Sequence, residues 1–354
     1  MHRGALRFSL RGVARISVGI AVACGGYGAW AEGTSAGTSH NPALAKGTAP
    51  SSAPASGAAA PPCGSGGPDA LAKALGLVAM RIYAREASGL GVRADKSQVE
   101  HNVPLLKALM RRDRRAVRRA VTRLVFSHTH LVRLRVMQRN ALLSDVGGPY
   151  VLAPVAGTLR FHGRAVGHFL LSVQDDLGYV KLETRFIGVP LILLAGSRRI
   201  HLTGTLAPGP ATVPEHGLVR YRGTSYESFS FRAEAFPHGA LRIALLVPVA
   251  TSLAAKTCTQ IKLFELARIA QRIWRRYAAV SAPPAAYVTA IQSLTGGLSY
   301  VRSGSQQLAG STQPGPPQLP DQGTVEYGRV RYAVSSFLAD TTAGQVRVYQ
   351  LVIP

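Results

Sequence analysis

Three groupings of reactive side chains invite a chemical reading. His128-x-His130 sets two imidazoles on one side of an extended segment, the start of a metal site. No Cys, Glu or third His follows at ligand spacing, so a polar strand entry is the reading taken, and no metal is expected. Asp175-Asp176 offers two carboxylates, yet neighbouring residues point different ways, and an acidic helix cap explains them. Cys63 and Cys258 each stand just before a helix-bearing unit and are the only cysteines beyond Cys24. In an oxidising compartment they are expected to pair, the alternative being two free thiols. Pairing would close a loop of 195 residues (258 − 63) and contribute up to ~5 kcal/mol in the chain-entropy view. There is no Gly-x-Ser-x-Gly elbow, phosphate-binding loop or His-Glu-x-x-His pair, and Gly64-Ser65-Gly66-Gly67 reads as linker. The expectation is a chain without enzymatic activity and without a cofactor.

Charge supplies a fourth signal. Lys and Arg number 41 against 17 Asp and Glu, a net charge of +24. An anionic partner fits this excess, as does the composition of an Arg-favouring genome. Its densest part is Arg111, Arg112, Arg114, Arg115, Arg118, Arg119 and Arg123, on the polar side of a helix whose apolar stripe is Leu106, Met110, Val117, Ala120, Val121 and Leu124, interrupted at Asp113. Arg111, Arg115, Arg118 and Arg119 are the candidate contacts to an anionic surface, against the plainer reading of a solvated face. No aromatic residue is interleaved to stack a base, which argues against nucleic acid.

The elements that must hold these residues follow from composition and period. Residues 1–31 read as an export signal: Arg3, Arg7, Arg11 and Arg15, an apolar run from Val13 to Val22, then Ala29-Trp30-Ala31 as a cleavage pattern. Lipidation at Cys24 and an uncleaved anchor are the two other readings, and a membrane is expected to be met only through this segment. Residues 32–68, rich in Ala, Gly, Ser, Thr and Pro, read as a flexible linker. Leu71, Leu75, Val78, Ala79 and Ile82 share one helical face that Ser88-Gly89 ends. From His130 the period shifts to two: a hairpin runs from Leu131 to Asp145, followed by a central apolar strand at Val166 to Val173. Asp175-Asp176 then caps a short helix. Strands at Val189–Leu194, Ile200–Thr203, Leu218–Tyr221, Ser225–Phe231 and Leu241–Val247 come next, and Leu263, Leu266, Ala267, Ala270, Ile273, Trp274 and Tyr277 mark a third helix.

The chain also repeats itself. VRYRGTSYESFSF from Val219 aligns with VEYGRVRYAVSSF from Val325, an offset of 106 (325 − 219), matching Val, both Tyr, Ser and Phe. After one deletion, Leu241-Arg242-Ile243 aligns with Val346-Arg347-Val348. Gly-Ser turns and proline loops precede both copies, so a partial duplication is inferred.

The order of a helix, the hairpin LVRLRVMQRNALLSD, the strand VGHFLLSVQDDL, then GLVRYRGTSYESFSF and LRIALLVP resembles a Cache domain, the extracytoplasmic PAS-like (PDC) sensor fold. The resemblance covers residues 69–250, with 258–354 as an abbreviated second unit. It implies an α+β fold in which N-terminal helices pack on a PAS-like antiparallel sheet, joined by a smaller, partly duplicated helix-plus-sheet unit. It further implies a small-molecule pocket between the sheet and its covering loops near Tyr150, Arg160, Tyr179, Lys181 and Arg185. Members bind organic acids and amino acids, but the Arg-x-Trp-Tyr pattern of many amino-acid sensors is absent. Members also continue into an output module, whereas this chain ends on a strand at Pro354. The expected function is an exported, extracytoplasmic small-molecule sensing or binding protein, the molecule being a carboxylate by preference, without an output module of its own. The alternative is a basic adaptor of the cell envelope that binds an anionic polymer or a partner protein.

Overall fold

The computed structural model describes residues 62–127, 130–250, 256–279, 281–342 and 344–354. The export signal, Cys24, most of the linker and His128 lie outside the described residues. Helix α1 (Gly67–Ser88) carries Pro68 in its first turn, buries Leu71, Leu75, Val78, Ala79 and Ile82, and stops at Gly89. It starts inside the segment read as linker. A short 3-10 turn at Gly64–Gly66 precedes it, and Cys63 N–H donates to Lys256 O (2.8 Å). Helix α2 (Leu90–Glu100) occupies a stretch that reads as polar connection, because it buries only Val92 and Val99. The single arginine-bearing helix expected next is two: α3 (Val103–Met110) and α4 (Arg114–Ser127). Between them Arg112 takes φ +55°, and the Asp113 carboxylate accepts from Ala116 N–H (2.9 Å). Asp113 therefore caps a new helix rather than interrupting an old one.

The first sheet contains β1 (Arg133–Gln138), β2 (Ala141–Gly147), β4 (Val155–Phe161) and β5 (Arg164–Ser172) in the order β2-β1-β5-β4, with β3 (Val151–Leu152) paired separately to β6 (Gln174–Asp175). Arg139 and Asn140, both at positive φ, make the two-residue turn of the expected hairpin. One face of this sheet, through Leu134, Val136, Leu159, Phe169 and Leu171, packs on Leu105, Leu109, Val117 and Val121. Asp175 Oδ1 then accepts from Gly178 N–H, so the acidic pair does cap α5 (Asp176–Phe186).

The second sheet follows: β7 (Leu191–Ala195), β8 (Arg198–Leu202), β9 (His216–Tyr221), β10 (Thr224–Glu234) and β11 (Ala240–Pro248), in the order β8-β7-β11-β10-β9. Helix α6 (Cys258–Ala278) begins with a reciprocal cap between Thr257 and Gln260 and leads to α7 (Pro284–Thr295). The third sheet contains β12 (Leu298–Ser303), β13 (Gln306–Gly310), β14 (Gln322–Tyr327), β15 (Val330–Thr341) and β16 (Gly344–Val352) in the order β13-β12-β16-β15-β14, the same topology as the second.

The duplication extends to individual bonds. Tyr226 faces Val219 across the second sheet as Tyr332 faces Val325 across the third. Ser230 N–H donates to Glu215 O (2.8 Å) and Ser336 N–H to Asp321 O (2.9 Å), each pair separated by the offset seen in the sequence. Arg242 donates to Ser230 Oγ and Val213 O, while Arg347 donates to Ser336 Oγ and pairs with Asp321 (2.7 Å). The Tyr221 hydroxyl accepts from Gly209 N–H, and the Tyr327 hydroxyl donates to Pro314 O. In both copies these bonds tie the proline loop to the strands.

The fold is α+β, with helices on antiparallel sheets and the topology of the second sheet repeated in the third. Segment 69–250 holds two sheets rather than one, a distinction invisible in strand patterning, which reads alike whichever sheet a strand joins. The largest core has α1, α5, α6 and α7 packed between the second and third sheets, with Ile243 and Leu245 on one side and Val301 and Val348 on the other. On their far faces, Leu206 and Val213 cover the second sheet and Leu319 the third. Cys63 and Cys258 form a disulfide, their Cα atoms 4.9 Å apart.

Candidate ligand-binding site

A cavity of about 960 Å³ forms an open cleft where the end of α2 and the start of α3 meet the edge strand β4 and its neighbour β5. Alternation along β4 builds it. Leu159 turns into the core, while Ala156, Thr158 and Arg160 turn to the opposite face, next to His168 and Leu170 of β5. Gly157 lets the Phe169 ring cross beneath β4, since a Cβ there would stand 2.2 Å from the ring. His162 at φ +46° and Gly163 at φ +77° form the turn that brings Arg160 beside them.

Charge in the cleft is mostly basic. Lys96 and Arg160 stand against one carboxylate, Glu100, which lies 3.9 Å from Lys96. His101, His162, His168 and His238 complete the polar lining. His101 Nδ1 lies 2.7 Å from Ser97 O, and His168 Nδ1 lies 3.4 Å from Thr158 Oγ1. Arg160 donates to Gly163 O (3.3 Å), and no carboxylate among the described residues pairs with it. The contrast with Arg133 and Arg135 on the same sheet is informative. Both grip Asp145, at 2.8 and 2.7 Å, and both lie over the Phe236 ring. Burial works to raise the Asp145 pKa, but the two guanidinium groups win and hold it below the usual carboxylate range. Those two cations share one internal carboxylate, whereas Arg160 has none among the described residues.

Of the five residues expected to line a pocket, Arg160 alone borders this cleft. Tyr150 is half exposed, and its carbonyl accepts from Asp176 N–H. Tyr179 is wholly buried on α5, its hydroxyl donating to Glu183 Oε1 (2.5 Å) and its ring edge-on to Tyr83. Lys181 and Arg185 lie on the exposed side of α5. The space expected to hold the pocket, between a sheet and its covering loops, is filled on the second and third sheets by apolar side chains. Lys96, His101, His162 and His168 escaped the sequence reading. Arg111, Arg115, Arg118 and Arg119 are exposed, as expected, on α4 and the turn before it. Among the described residues no cluster of His, Cys, Asp and Glu suited to a metal occurs, and no helix is long and apolar enough to cross a membrane.

Helices over antiparallel sheets beside an open polar cleft make this an α+β fold. No protein-family model matches the sequence, and no curated protein does. Among solved structures, the chain is similar to the ligand-binding domain of the Pseudomonas fluorescens chemoreceptor CtaA, determined with L-alanine. Identity there is 10%, over 48% of this chain and 92% of that one, with a TM-score of 0.29. It is also similar to an extracellular ligand binding receptor from Desulfohalobium retbaense DSM5692, at 11% identity over 51% of this chain and 40% of that one, with a TM-score of 0.28. The Vibrio cholerae LuxQ periplasmic domain aligns over 81% of this chain and 97% of its own at 10% identity and a TM-score of 0.15.

Proposed function

We propose that the protein is an exported, extracytoplasmic domain that captures a small carboxylate in the cleft beside β4 and passes its occupancy to a partner in the cell envelope. The carrying observation is Arg160: a guanidinium on an edge strand, facing a cleft of about 960 Å³ and left without a carboxylate partner among the described residues. A guanidinium accepts a carboxylate through two parallel bonds, and Lys96 adds a second positive charge to the same wall. Export rests on the basic start, apolar run and Ala29-Trp30-Ala31 pattern of residues 1–31.

Calorimetry with a panel of small carboxylates and amino acids tests this reading. At least one is expected to bind, and Arg160→Glu should weaken it tenfold or more, since it removes a charge partner and adds repulsion. Lys181→Glu, on the exposed side of α5, should leave binding within twofold. A panel without binders, or equal losses at the two positions, would remove the cleft as the site.

A further inference from the structure

We propose that the solvent face of α4 is a docking surface for a linear phosphate polymer, independent of the cleft. Arg115, Arg118, Arg119, Thr122 and Arg123 fall on one face of this helix and border an open groove of about 500 Å³. The opposite face, Val117, Ala120, Val121, Leu124 and Val125, is buried. Among the described residues no carboxylate lies within ion-pair reach of these four arginines, although Arg133, Arg135, Arg268 and Arg347 all have one. Like charges three and four residues apart destabilise a helix, so the row is held together against its own repulsion. A bound anion would relieve that repulsion.

The geometry selects among anions. From Arg115 to Arg123 the helix rises about 12 Å, room for several phosphates of an extended chain and too long for a single one. A bilayer is disfavoured, because the apolar side of α4 is committed to the core and Phe126 alone, 77% exposed at the helix end, is left to insert. A nucleic acid is disfavoured because no second aromatic side chain lies on this face to stack successive bases. A polymer of repeating phosphates without bases needs only the arginine row.

Long-chain inorganic polyphosphate, titrated into the full chain over a series of salt concentrations, tests the proposal. For a single-stranded polyanion the slope of log K against log salt is on the order of 0.7 per phosphate contact. Arg115→Gln with Arg119→Gln should therefore reduce its magnitude by about 1.4 and weaken binding at least tenfold at low salt. Arg220→Gln, exposed on β9, should change neither. Both positions on α4 are exposed, and a thermal melt without polymer should show the double variant as stable as the parent or more so. Addition of polyphosphate should raise the melting temperature of the parent more than that of the variant. An unchanged slope in the double variant would overturn the proposal. So would tighter binding, at equal phosphate, to phosphatidylglycerol vesicles or to an oligodeoxythymidylate.

Discussion

Glu183 departs far from the ordinary state of a carboxylate. Its side chain is fully buried; Oε1 accepts from the Tyr179 hydroxyl, and Oε2 has no hydrogen-bond partner among the described residues. Burial, reinforced by the nearby charge of Glu86, outweighs the Tyr179 bond and pushes its pKa up to about 8. The folded protein therefore keeps a proton that the unfolded chain releases near pH 4.5. This contribution to stability is present in full below that value, is lost as pH rises toward 8, and is flat beyond it. The slope is at most ~1.4 kcal/mol per pH unit for one proton. Glu86, also raised by burial, adds in the same direction. Glu183→Gln, which stays neutral, should flatten the decline between about pH 5 and 8, as read from urea unfolding at several pH values. A variant that declines as steeply as the parent would show that Glu183 is already ionised in the fold. The sequence did not disclose any of this. Glu183 sits in a stretch with ordinary helix composition, and only tertiary packing around α5 buries it.

At the scale of elements, legibility tracked the regularity of each one's apolar pattern. Helices α1 and α6 and the strands of the second sheet carry clear apolar stripes and were read in place, and the last three strands of the third sheet were located through the repeat, whereas α7, β12 and β13 were not read. Helix α2 buries two side chains, and the turn at Arg112 looks like more of the same arginine run, so neither left a pattern. The candidate site suffered most from this. Lys96 and Glu100 of the cleft wall stand on α2, and residues chosen along the path from strand to helix, such as Tyr179 and Arg185, lie away from the cleft. Packing between elements also sets a sharp requirement at Gly76, where α1 crosses β10. A Cβ there would lie 2.1 Å from the Phe229 ring. Alanine ordinarily favours a helix over glycine by ~1 kcal/mol. Here overlap with the ring wins, and Gly76→Ala should lower stability by about 1–3 kcal/mol. Denaturant midpoints with unchanged m-values would confirm it, and a stabilised variant would mean that Phe229 swings aside freely.

Across the whole molecule, one topology is used twice in full. The first sheet follows the same rule with one strand fewer: the hairpin comes first, and the last strand returns to pair with the first. The copies meet through helices rather than through sheet edges, and the Cys63–Cys258 bond fastens the N-terminal ends of α1 and α6. Replacing both cysteines by serine should cost up to ~5 kcal/mol of stability, given the 195-residue separation. Unfolding curves that coincide with and without a reductant would contradict that. The bond also fixes where the two helices stay together. Farther along the same two helices, Arg276 lies close enough to Glu86 for its charge to be felt, so α1 and α6 run side by side in the same direction away from the bolted end. Sliding of one past the other is blocked at the root, as by a rivet, so the end held by packing alone is the far one, at Glu86 and Arg276, where buried Tyr179 meets Tyr83 of α1.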